Sequence, residues 1–378
     1  MYPTNPFIVV GKIPAKYFCD RKEESFRIIR DIVNGNNVVL ISSRRMGKTG
    51  LIQHCFENPE LSDNFETFYL DILQTSSMKE FTYLLGREIF SRLASKRTQR
   101  LRQFTSFLKS LSGCFGFDPL NGIPTFNLQL GDITEPELTI DEIFQFLASS
   151  EIPSIVAIDE FQQIATYKER NVEAILRTQI QRLSNAKFIF SGSERHLLHQ
   201  MFTESAKPFY NSASILELNA IPAEIYSSFA NELFEERGKH LEDGCVRWVS
   251  EIFEGNTFYI QKTFNIAFAQ TPSNGTCNKT IINYAIEEML ASFDTIYREI
   301  LSRMGESPKQ LLIALAQTGT AHQITSVSFI RKHALASSSS VQASTRRLLS
   351  EGFLIRQGNS YKLQDPLLRQ WLLSVYGK

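Results

Sequence analysis

The sequence of 378 residues predicts an α/β domain with a parallel sheet, followed by an all-helical region and a winged helix-turn-helix domain. Three observations support this prediction. Apolar strand candidates alternate with helices over residues 1–220, amphipathic helices fill residues 221–304, and short helices with a final β-hairpin occupy residues 305–378. We therefore expect three domains with these boundaries.

The segment 38–51 has the pattern of a phosphate-binding loop between a strand and a helix. An apolar run ends at Ile41, Gly47-Lys48-Thr49 follows a turn, and an apolar helix pattern begins at Leu51. Backbone N–H groups of such a loop bind triphosphate oxygens, the lysine reaches the β- and γ-phosphates, and the threonine hydroxyl ligates Mg²⁺. Ser42 replaces the first glycine of the G-x-x-x-x-G-K-[ST] pattern, so an ordinary strand-to-helix turn is the alternative. The predicted nucleotide-binding residues of the loop are Ser43, Arg44, Arg45, Met46, Gly47, Lys48, Thr49 and Gly50.

A second strand candidate ends in two carboxylates. Residues 154–158 form a largely apolar run after Pro153, and Asp159 and Glu160 follow it. Ligands bind at the C-terminal ends of the strands in open parallel sheets. We expect Asp159 to hold Mg²⁺, directly or through water, and Glu160 to orient and polarise the attacking water. The alternative is a pair of solvated carboxylates at a strand end.

A third strand candidate, residues 187–190, ends in a polar segment that runs to Arg195. Ser191 and Ser193 are candidates for sensing the γ-phosphate or for holding the attacking water. For either serine alone, a Ser-Gly turn that caps the next helix is an equal alternative.

These motifs follow one another as in AAA+-type ATPases, with one intervening strand over residues 65–71 between the phosphate loop and the Asp-Glu strand. The chain resembles more closely the archaeal-type ATPases of the STAND group, which also occur in bacteria. The residues that carry this resemblance extend over nearly the whole chain: Asn5-Pro6-Phe7, Phe18 to Glu23, Arg44 to Thr49, Ile158 to Phe161, Lys207 to Tyr210, Gly255 to Tyr259, and Tyr361 to Pro366. The resemblance implies that ATP·Mg²⁺ binds between the loop, the residues 159–160 and a helical lid, with the adenine near Phe18 and Arg21.

Two positions depart from the pattern of that family. Asn211-Ser212 stands where such proteins usually have Gly-Arg, so an arginine finger is absent at that point. Gly255-Asn256-Thr257 stands where the lid commonly has Gly-x-Pro. Both departures leave nucleotide binding intact and argue against efficient hydrolysis. Arg195 and Lys207 are near enough in sequence to substitute for the missing arginine.

Composition excludes several classes of protein. The five cysteines are scattered, odd in number and without C-x-x-C spacing, so we expect neither disulfides nor a zinc site. The N-terminus lacks the pattern of a signal segment, and no apolar run reaches the roughly 18–20 residues that cross a bilayer. We therefore expect a cytoplasmic protein with no membrane partner.

Two segments within residues 1–220 have distinctive patterns. Residues 92–115 form a basic helical stretch, for which a solvated helix face is favoured over a nucleic-acid-binding face. Residues 126–130 alternate apolar and polar side chains and predict a strand within an insertion.

The C-terminal region is basic. Residues 301–378 contain ten Lys and Arg but three Asp and Glu, net +7, so residues 1–300 carry net −7. This asymmetry indicates either a polyanionic partner or docking between the two parts. The candidates for facing a DNA groove are Lys332, Gln342, Ser344, Thr345 and Arg346. A protein-binding winged helix is the favoured alternative, because the four serines 337–340 make a poor base-reading surface.

The sequence thus predicts an ATP-binding protein, a slow Mg²⁺-dependent ATPase that acts as a nucleotide-gated switch. The alternative is an ATP-binding regulator that scarcely hydrolyses ATP and acts on DNA or a protein through the winged helix. Glu160 favours the first hypothesis, and Ser212 favours the second. ATP and Mg²⁺ are the expected cofactors, and the oligomeric state is left open.

Overall fold

The structure is a computed structural model that describes residues 5–94, 98–117, 124–126 and 128–377. Its described residues divide into two compact units, residues 12–219 and residues 5–11 together with 220–377. The N-terminal segment 5–11 therefore belongs to the second unit, whereas the sequence analysis assigned it to the first domain. None of the helices in the described ranges is both long and apolar enough to cross a membrane.

The first unit contains a parallel sheet between two layers of helices. The strands of the first unit, including two outside this sheet, are β1 (Val38–Ile41), β2 (Glu66–Asp71), β3 (Phe115–Phe117), β4 (Pro124–Phe126), β5 (Ser154–Asp159), β6 (Ala186–Gly192) and β7 (Ser214–Glu217). Its helices are α1 (Lys22–Val33), α2 (Lys48–Phe56), α3 (Pro59–Ser62), α4 (Met78–Ala94), α5 (Thr98–Phe107), α6 (Pro136–Ser149), α7 (Val172–Arg182) and α8 (Arg195–Thr203). Short 3-10 helices span Ala15–Tyr17, Lys109–Cys114, Leu130–Asp132 and Phe161–Thr166. The sheet order is β2-β5-β6-β1-β7, and among the described strands β3 pairs with β4 in a separate two-stranded sheet.

Both faces of this sheet are buried, which explains why its strands are nearly continuous apolar runs. Val39 and Ile41 of β1 pack in the core that contains α4 to α8. Val38 and Leu40 point to the opposite face and pack with α1 and α2. The sequence-predicted strands 38–41, 154–158 and 187–190 all lie within strands of this sheet.

The segment 98–132 differs from its sequence-based interpretation. The prediction of a strand over residues 126–130 is wrong beyond residue 126, although residue 127 lies outside the described part of the chain. Gln129 and Asp132 form a capping box that starts a 3-10 helix, and this local hydrogen bonding replaces strand pairing. In α5, Leu101 and Phe104 are buried in the core, and Arg100 forms a buried ion pair with Glu66 at 2.7 Å. Arg100 therefore serves the packing of the helix and presents no nucleic-acid-binding charge.

The second unit combines helices with short strands. Its helices are α9 (Ala223–Glu235), α10 (Cys245–Ile252), α11 (Thr257–Gln270), α12 (Lys279–Arg303), α13 (Glu306–Thr318), α14 (Val327–Lys332), α15 (Ser338–Ser350) and α16 (Pro366–Tyr376). Its strands are β8 (His240–Leu241), β9 (Thr276–Cys277), β10 (Ala321–His322), β11 (Leu354–Gln357) and β12 (Ser360–Leu363). The region 221–304 is not purely helical, because β8 pairs in parallel with β9. The sheet β10-β12-β11 forms the wing beside α13 to α16.

The N-terminal segment is fixed to the helices of the second unit by one aromatic side chain and two amide groups. Phe7 is fully buried among Phe229, Phe234, Phe264 and Phe268, with ring centroids 5.5–6.4 Å apart. Asn5 Nδ2 donates to the carbonyl of residue 265 at 2.7 Å, and the side chain of that same residue donates to the Phe7 carbonyl at 2.7 Å.

The winged helix and the preceding helices share partly buried polar contacts within the second unit. Asp365 caps α16 and accepts the hydroxyl of Tyr259 on α11 at 2.7 Å. Trp371 Nε1 of α16 donates to Asp294 of α12 at 2.9 Å. The second bond gives the indole N–H of the buried Trp371 an acceptor.

Candidate functional site

Four neighbouring strands of the parallel sheet end at one edge and bring the predicted site residues together. Asp71 at the end of β2 is in register with Asp159 at the end of β5. Ile41 at the end of β1 is in register with Gly192 at the end of β6. Because all these strands are parallel, their C-terminal ends and the loop after β1 form one site.

The loop from Ser42 to Gly47 connects β1 to α2. Gly47 lies in the left-handed region with φ 92°, and its carbonyl accepts the N–H of Leu51 at 2.9 Å as α2 begins. Ser42, which replaces the expected glycine, is buried, and its hydroxyl donates to the Ser43 carbonyl at 2.9 Å. The serine thus fits within the loop without opening it. Met46 is buried in the core beside α1 and α2, so only its backbone is available to a ligand.

Lys48 is the buried cation of the site, with only 6% of its surface exposed. Burial lowers the pKa of its ammonium, Glu160 and Asp159 oppose this shift, and Arg44 reinforces it. A desolvated ammonium at the start of a helix is suited to bind an anion, because the anion would replace the lost hydration.

Asp159 accepts four hydrogen bonds from protein groups. Its Oδ1 accepts the Ser191 hydroxyl at 2.5 Å and the backbone N–H of Glu160 at 3.0 Å. Its Oδ2 accepts the Thr49 hydroxyl at 2.9 Å and the Tyr69 hydroxyl at 2.6 Å. Thr49 and Asp159, the predicted metal-binding pair, are therefore in direct contact.

Tyr69 of β2 is a member of the site that the sequence analysis missed. Burial, the charge of Asp159 and the hydrogen bond to that carboxylate raise the pKa of its phenol well above the ordinary value, so the hydroxyl stays a donor. The sequence offered one signal for Tyr69, because this residue lies two positions before the end of the predicted strand 65–71. Nothing in the sequence showed that its ring would point toward the neighbouring strand end.

Glu160 is held by donors from two segments. Its backbone is left-handed, with φ 56° and ψ 41°, a conformation that costs energy for a residue other than glycine. Its Oε2 accepts the Ser193 hydroxyl at 2.7 Å, the Ser193 N–H at 3.2 Å and the Gln162 side chain at 2.6 Å. The two predicted serines thus divide between the carboxylates, with Ser191 on Asp159 and Ser193 on Glu160.

Gln162 and Gly192 form a close contact behind Glu160. A Cβ atom added to Gly192 would lie 1.9 Å from Gln162 Oε1 and 2.7 Å from Leu198 Cδ1. Only glycine fits between these side chains, which allows Gln162 to reach Glu160. Gln162 is not among the residues predicted from the sequence. The Ser-Gly-Ser turn at residues 191–193 is the signal that a side chain could approach the backbone closely there.

The acidic and hydroxyl oxygens at this edge fit a magnesium ion that also takes phosphate ligands. Burial raises the pKa of Asp71, and the charges of Asp159 and Glu160 raise it further, against the hydrogen bond from the Leu73 N–H. Across the described ranges, no group of three or more His, Cys, Asp or Glu is arranged to hold a metal alone. Magnesium commonly binds through one or two carboxylates and substrate phosphates, which suits Thr49 and Asp159.

Phe18 and Arg21 flank the loop from the segment before α1. The Phe18 ring stacks on His54 of α2 at 4.3 Å and lies 3.5 Å from a Cβ placed on Gly50. Arg21 is buried, and its Nη2 donates to the Met46 carbonyl at 3.4 Å. Arg21 therefore stabilises the loop from Ser42 to Gly47 through the Met46 carbonyl.

Of the two basic residues considered as substitutes for an arginine finger, Arg195 is held by other contacts. Arg195 forms an ion pair with Glu217 at 2.5 Å, and His199 contacts the same carboxylate at 2.9 Å. Ser212 closes a turn by donating its hydroxyl to the Phe209 carbonyl at 2.7 Å. Lys207 is half-buried in that same turn region.

The candidate DNA-facing residues of the winged helix separate into two groups. Ser344 and Thr345 are 4% and 6% exposed, so the prediction that they face a groove is wrong. Both side chains are buried in α15, which packs against α13 and β11, and the Thr345 hydroxyl donates to the Val341 carbonyl at 2.7 Å. Lys332, Gln342 and Arg346 are exposed.

Comparisons with known proteins agree with this architecture. A family model described as a probable winged helix domain matches residues 295–374. A comparison with curated proteins gives no match. The Walker-type ATPase PABY2304 of Pyrococcus abyssi is 18% identical, with a TM-score of 0.67, over 97% of this chain and 99% of that chain.

Two further solved structures are similar over nearly their full length. The Aeropyrum pernix ORC2 protein, in ADPNP and ADP complexes, is 11% identical, with a TM-score of 0.58, over 99% of this chain and 98% of that chain. The Aeropyrum pernix ORC1 protein, in complex with DNA, is 10% identical, with a TM-score of 0.51, over 98% of this chain and 96% of that chain.

These similarities confirm the predicted fold class. The chain has an α/β P-loop ATPase fold with an AAA+-like parallel sheet, followed by helices and a C-terminal winged helix. At these identities the similarity concerns the fold, and function has to be argued from the residues of the site.

Proposed function

We propose that the chain binds ATP with Mg²⁺ and hydrolyses it slowly, so that its nucleotide state acts as a switch. The observation that carries this proposal is the 2.9 Å hydrogen bond from Thr49 to Asp159 at the edge of the sheet, directly after the left-handed Gly47. This contact joins the two motifs that the sequence separates by 110 positions. A structural strand-to-helix turn would not require that its first helical hydroxyl meet a buried carboxylate.

Each residue has a distinct task in this proposal. The N–H groups of the loop and the Lys48 ammonium would bind the phosphates. Thr49 and Asp159 would hold Mg²⁺, which when bound neutralises charge on the phosphates. Glu160 would orient the attacking water and accept its proton.

Slow turnover is supported by the absence of an arginine at position 212. Three donor groups engage Glu160 Oε2 and fix the orientation of its carboxylate. Arg195 is engaged by Glu217, and using it at the phosphates would require breaking that ion pair.

Calorimetric titration with Mg·ATP tests the proposal. We expect Lys48→Ala to abolish binding, because the ammonium and its phosphate contacts are lost. The matched control is Lys168→Ala, which removes an exposed lysine elsewhere in the first unit and should bind like the wild type. Equal affinity of the wild type and Lys48→Ala would reject the phosphate-loop assignment.

The second candidate function is an ATP-binding regulator that scarcely hydrolyses ATP and binds duplex DNA through the winged helix. Exposed Lys332, Gln342 and Arg346 on α14 and α15 favour this candidate. Two other basic residues are less available, because Lys362 pairs with Glu254 at 2.6 Å and Arg347 pairs with Glu351 at 2.7 Å. A protein partner on the same face is the alternative that a DNA-binding measurement separates.

A further inference from the structure

We propose that Tyr69 competes with Mg²⁺ for Asp159, so that its hydroxyl must leave the carboxylate before the metal is held. This inference rests on the proposed function and concerns how the same site is loaded. It assigns to Tyr69 a positioning and gating role that no sequence motif indicates.

The acceptor capacity of Asp159 carries the argument. An ionised carboxylate offers about four lone-pair positions on its two oxygens. In this structure four protein donors already engage Asp159, two on each oxygen. A metal ion, or a metal-bound water that donates a hydrogen bond, needs one of these positions.

Three of the four donors have reason to stay. A hydroxyl oxygen keeps two lone pairs, so Thr49 can ligate a metal while still donating its hydrogen to Asp159. The Glu160 donor is a backbone N–H next to the strand. Ser191 is fully buried within β6 and reaches Oδ1, the oxygen that Thr49 does not contact.

Tyr69 is the donor whose hydrogen bond to Asp159 can be released most easily. Its ring is only partly buried, and its hydroxyl lies 2.6 Å from Asp159 Oδ2 and 3.4 Å from Thr49 Oγ1. The hydroxyl therefore touches both oxygens that would hold the metal. A rotation of one side chain would free the acceptor position without moving the sheet.

A magnesium titration of nucleotide binding tests this inference in the full-length chain. The probe is fluorescent N-methylanthraniloyl-ADP, measured first in EDTA and then with increasing MgCl₂. We expect Tyr69→Phe to bind the probe in EDTA as the wild type does and to lower the Mg²⁺ concentration at half-maximal effect by about tenfold, the size expected for one hydrogen bond to a charged group.

The control variant is Tyr167→Phe, which removes a buried hydroxyl that bonds Thr75 at 2.5 Å in the same unit. This variant should leave the magnesium midpoint unchanged. Thermal unfolding in EDTA without nucleotide supplies a second readout, in which Tyr69→Phe should unfold at a lower temperature because a hydrogen bond is lost. Should Tyr69→Phe fail to fold, Tyr69→Met removes the hydroxyl with similar bulk.

The outcomes separate the two proposals. An unchanged midpoint with lower thermal stability would make Tyr69 purely structural and overturn the inference. A higher midpoint would mean that the hydroxyl supports the metal, which also overturns it. Probe binding by the wild type in either case leaves the proposed function standing, whereas no binding by the wild type under any condition rejects both.

Discussion

The sheet edge of the first unit, where β1, β2, β5 and β6 end, and the exposed face of the winged helix are both rich in polar residues. The two regions differ in how far these side chains are buried and in how they are bonded. At the edge, Lys48, Asp159, Ser191 and Ser193 are buried and joined by short hydrogen bonds or close charges. On the winged helix, Arg346 and Lys332 are exposed, and Arg347 pairs with a residue one helical turn away. Surface pairs of that kind contribute little to stability.

The difference indicates what each region can do. A buried carboxylate such as Asp159 and a desolvated ammonium such as Lys48 cost folding energy, and such costs concentrate where chemistry needs preorganised groups. Exposed arginines on a helix carry a general positive charge that positions a polyanion without reading its sequence. We therefore expect substitutions at the edge to act on specific steps, and substitutions on the winged helix to act uniformly.

The largest expected effect concerns turnover at the edge. Glu160→Gln should keep ATP affinity within a few-fold and lower single-turnover hydrolysis by ~10²–10⁴-fold, since the proton acceptor is lost. Glu204→Gln, at an exposed position after α8, is the control that should match the wild type. A Glu160→Gln variant as fast as the wild type would exclude Glu160 as the base. A wild type without turnover above background would favour the regulator.

An intermediate effect concerns the winged helix. Reversing Arg346 and Arg347 to glutamate in the full-length chain should weaken binding to all duplexes alike. Replacing Arg346 alone with alanine should reduce the salt slope of binding by about 0.9, the amount for one phosphate contact, whereas Arg347 pairs with Glu351 and should contribute less. The matched control is Arg303→Glu on α12, another exposed arginine paired one turn away, which should change little. A wild type with no DNA affinity at low salt would reject the DNA-binding candidate and favour a protein partner.

The smallest expected effect concerns stability and tests whether the buried Lys48 lowers the free energy of unfolding. Burial lowers the pKa of Lys48 below its ordinary value of 10.5, so the folded chain holds that proton less tightly than the unfolded chain. The resulting cost is fully present at pH values below the folded-state pKa, shrinks as the pH rises above it, and disappears only above the ordinary value of 10.5. Lys48→Met should therefore raise the free energy of unfolding at pH 7 by roughly 0.5–2 kcal/mol.

Urea unfolding at pH 7 and pH 10, without nucleotide, measures this difference. The gain for Lys48→Met should shrink at the higher pH, and the exposed control Lys168→Met should show no such change. A loss of stability at pH 7 would mean that attraction to Asp159 and Glu160 outweighs burial.

Sequence order was sufficient to predict the meeting of Thr49 with Asp159. A parallel sheet brings successive strand ends to one edge whatever the spacing along the chain, so three motifs sufficed. The division of Ser191 and Ser193 between the two carboxylates could not be predicted, because it depends on the register between β5 and β6. Tyr69 could not be predicted because it depends on the register between β2 and β5, and Gln162 because it depends on the close approach of its side chain to Gly192.

The error at Ser344 and Thr345 arose from judging residues by polarity alone. Positions 341, 344, 345 and 348 recur at helical spacing, and all four are buried in α15. Ser344 and Thr345 are small enough to occupy core positions, and the hydroxyl of Thr345 is satisfied by the backbone. The helical spacing of these four positions, rather than the polarity of their side chains, identifies the buried face of α15.

The burial of Phe7 among four phenylalanines of the second unit has a consequence for how the chain folds during synthesis. Translation produces residues 5–11 before the first unit, but the helices that enclose Phe7 are synthesised only after the whole of that unit. The first unit is continuous in sequence and can fold as it emerges. The second unit must wait with one of its core side chains exposed, and a fragment that begins at residue 221 would lack that side chain altogether.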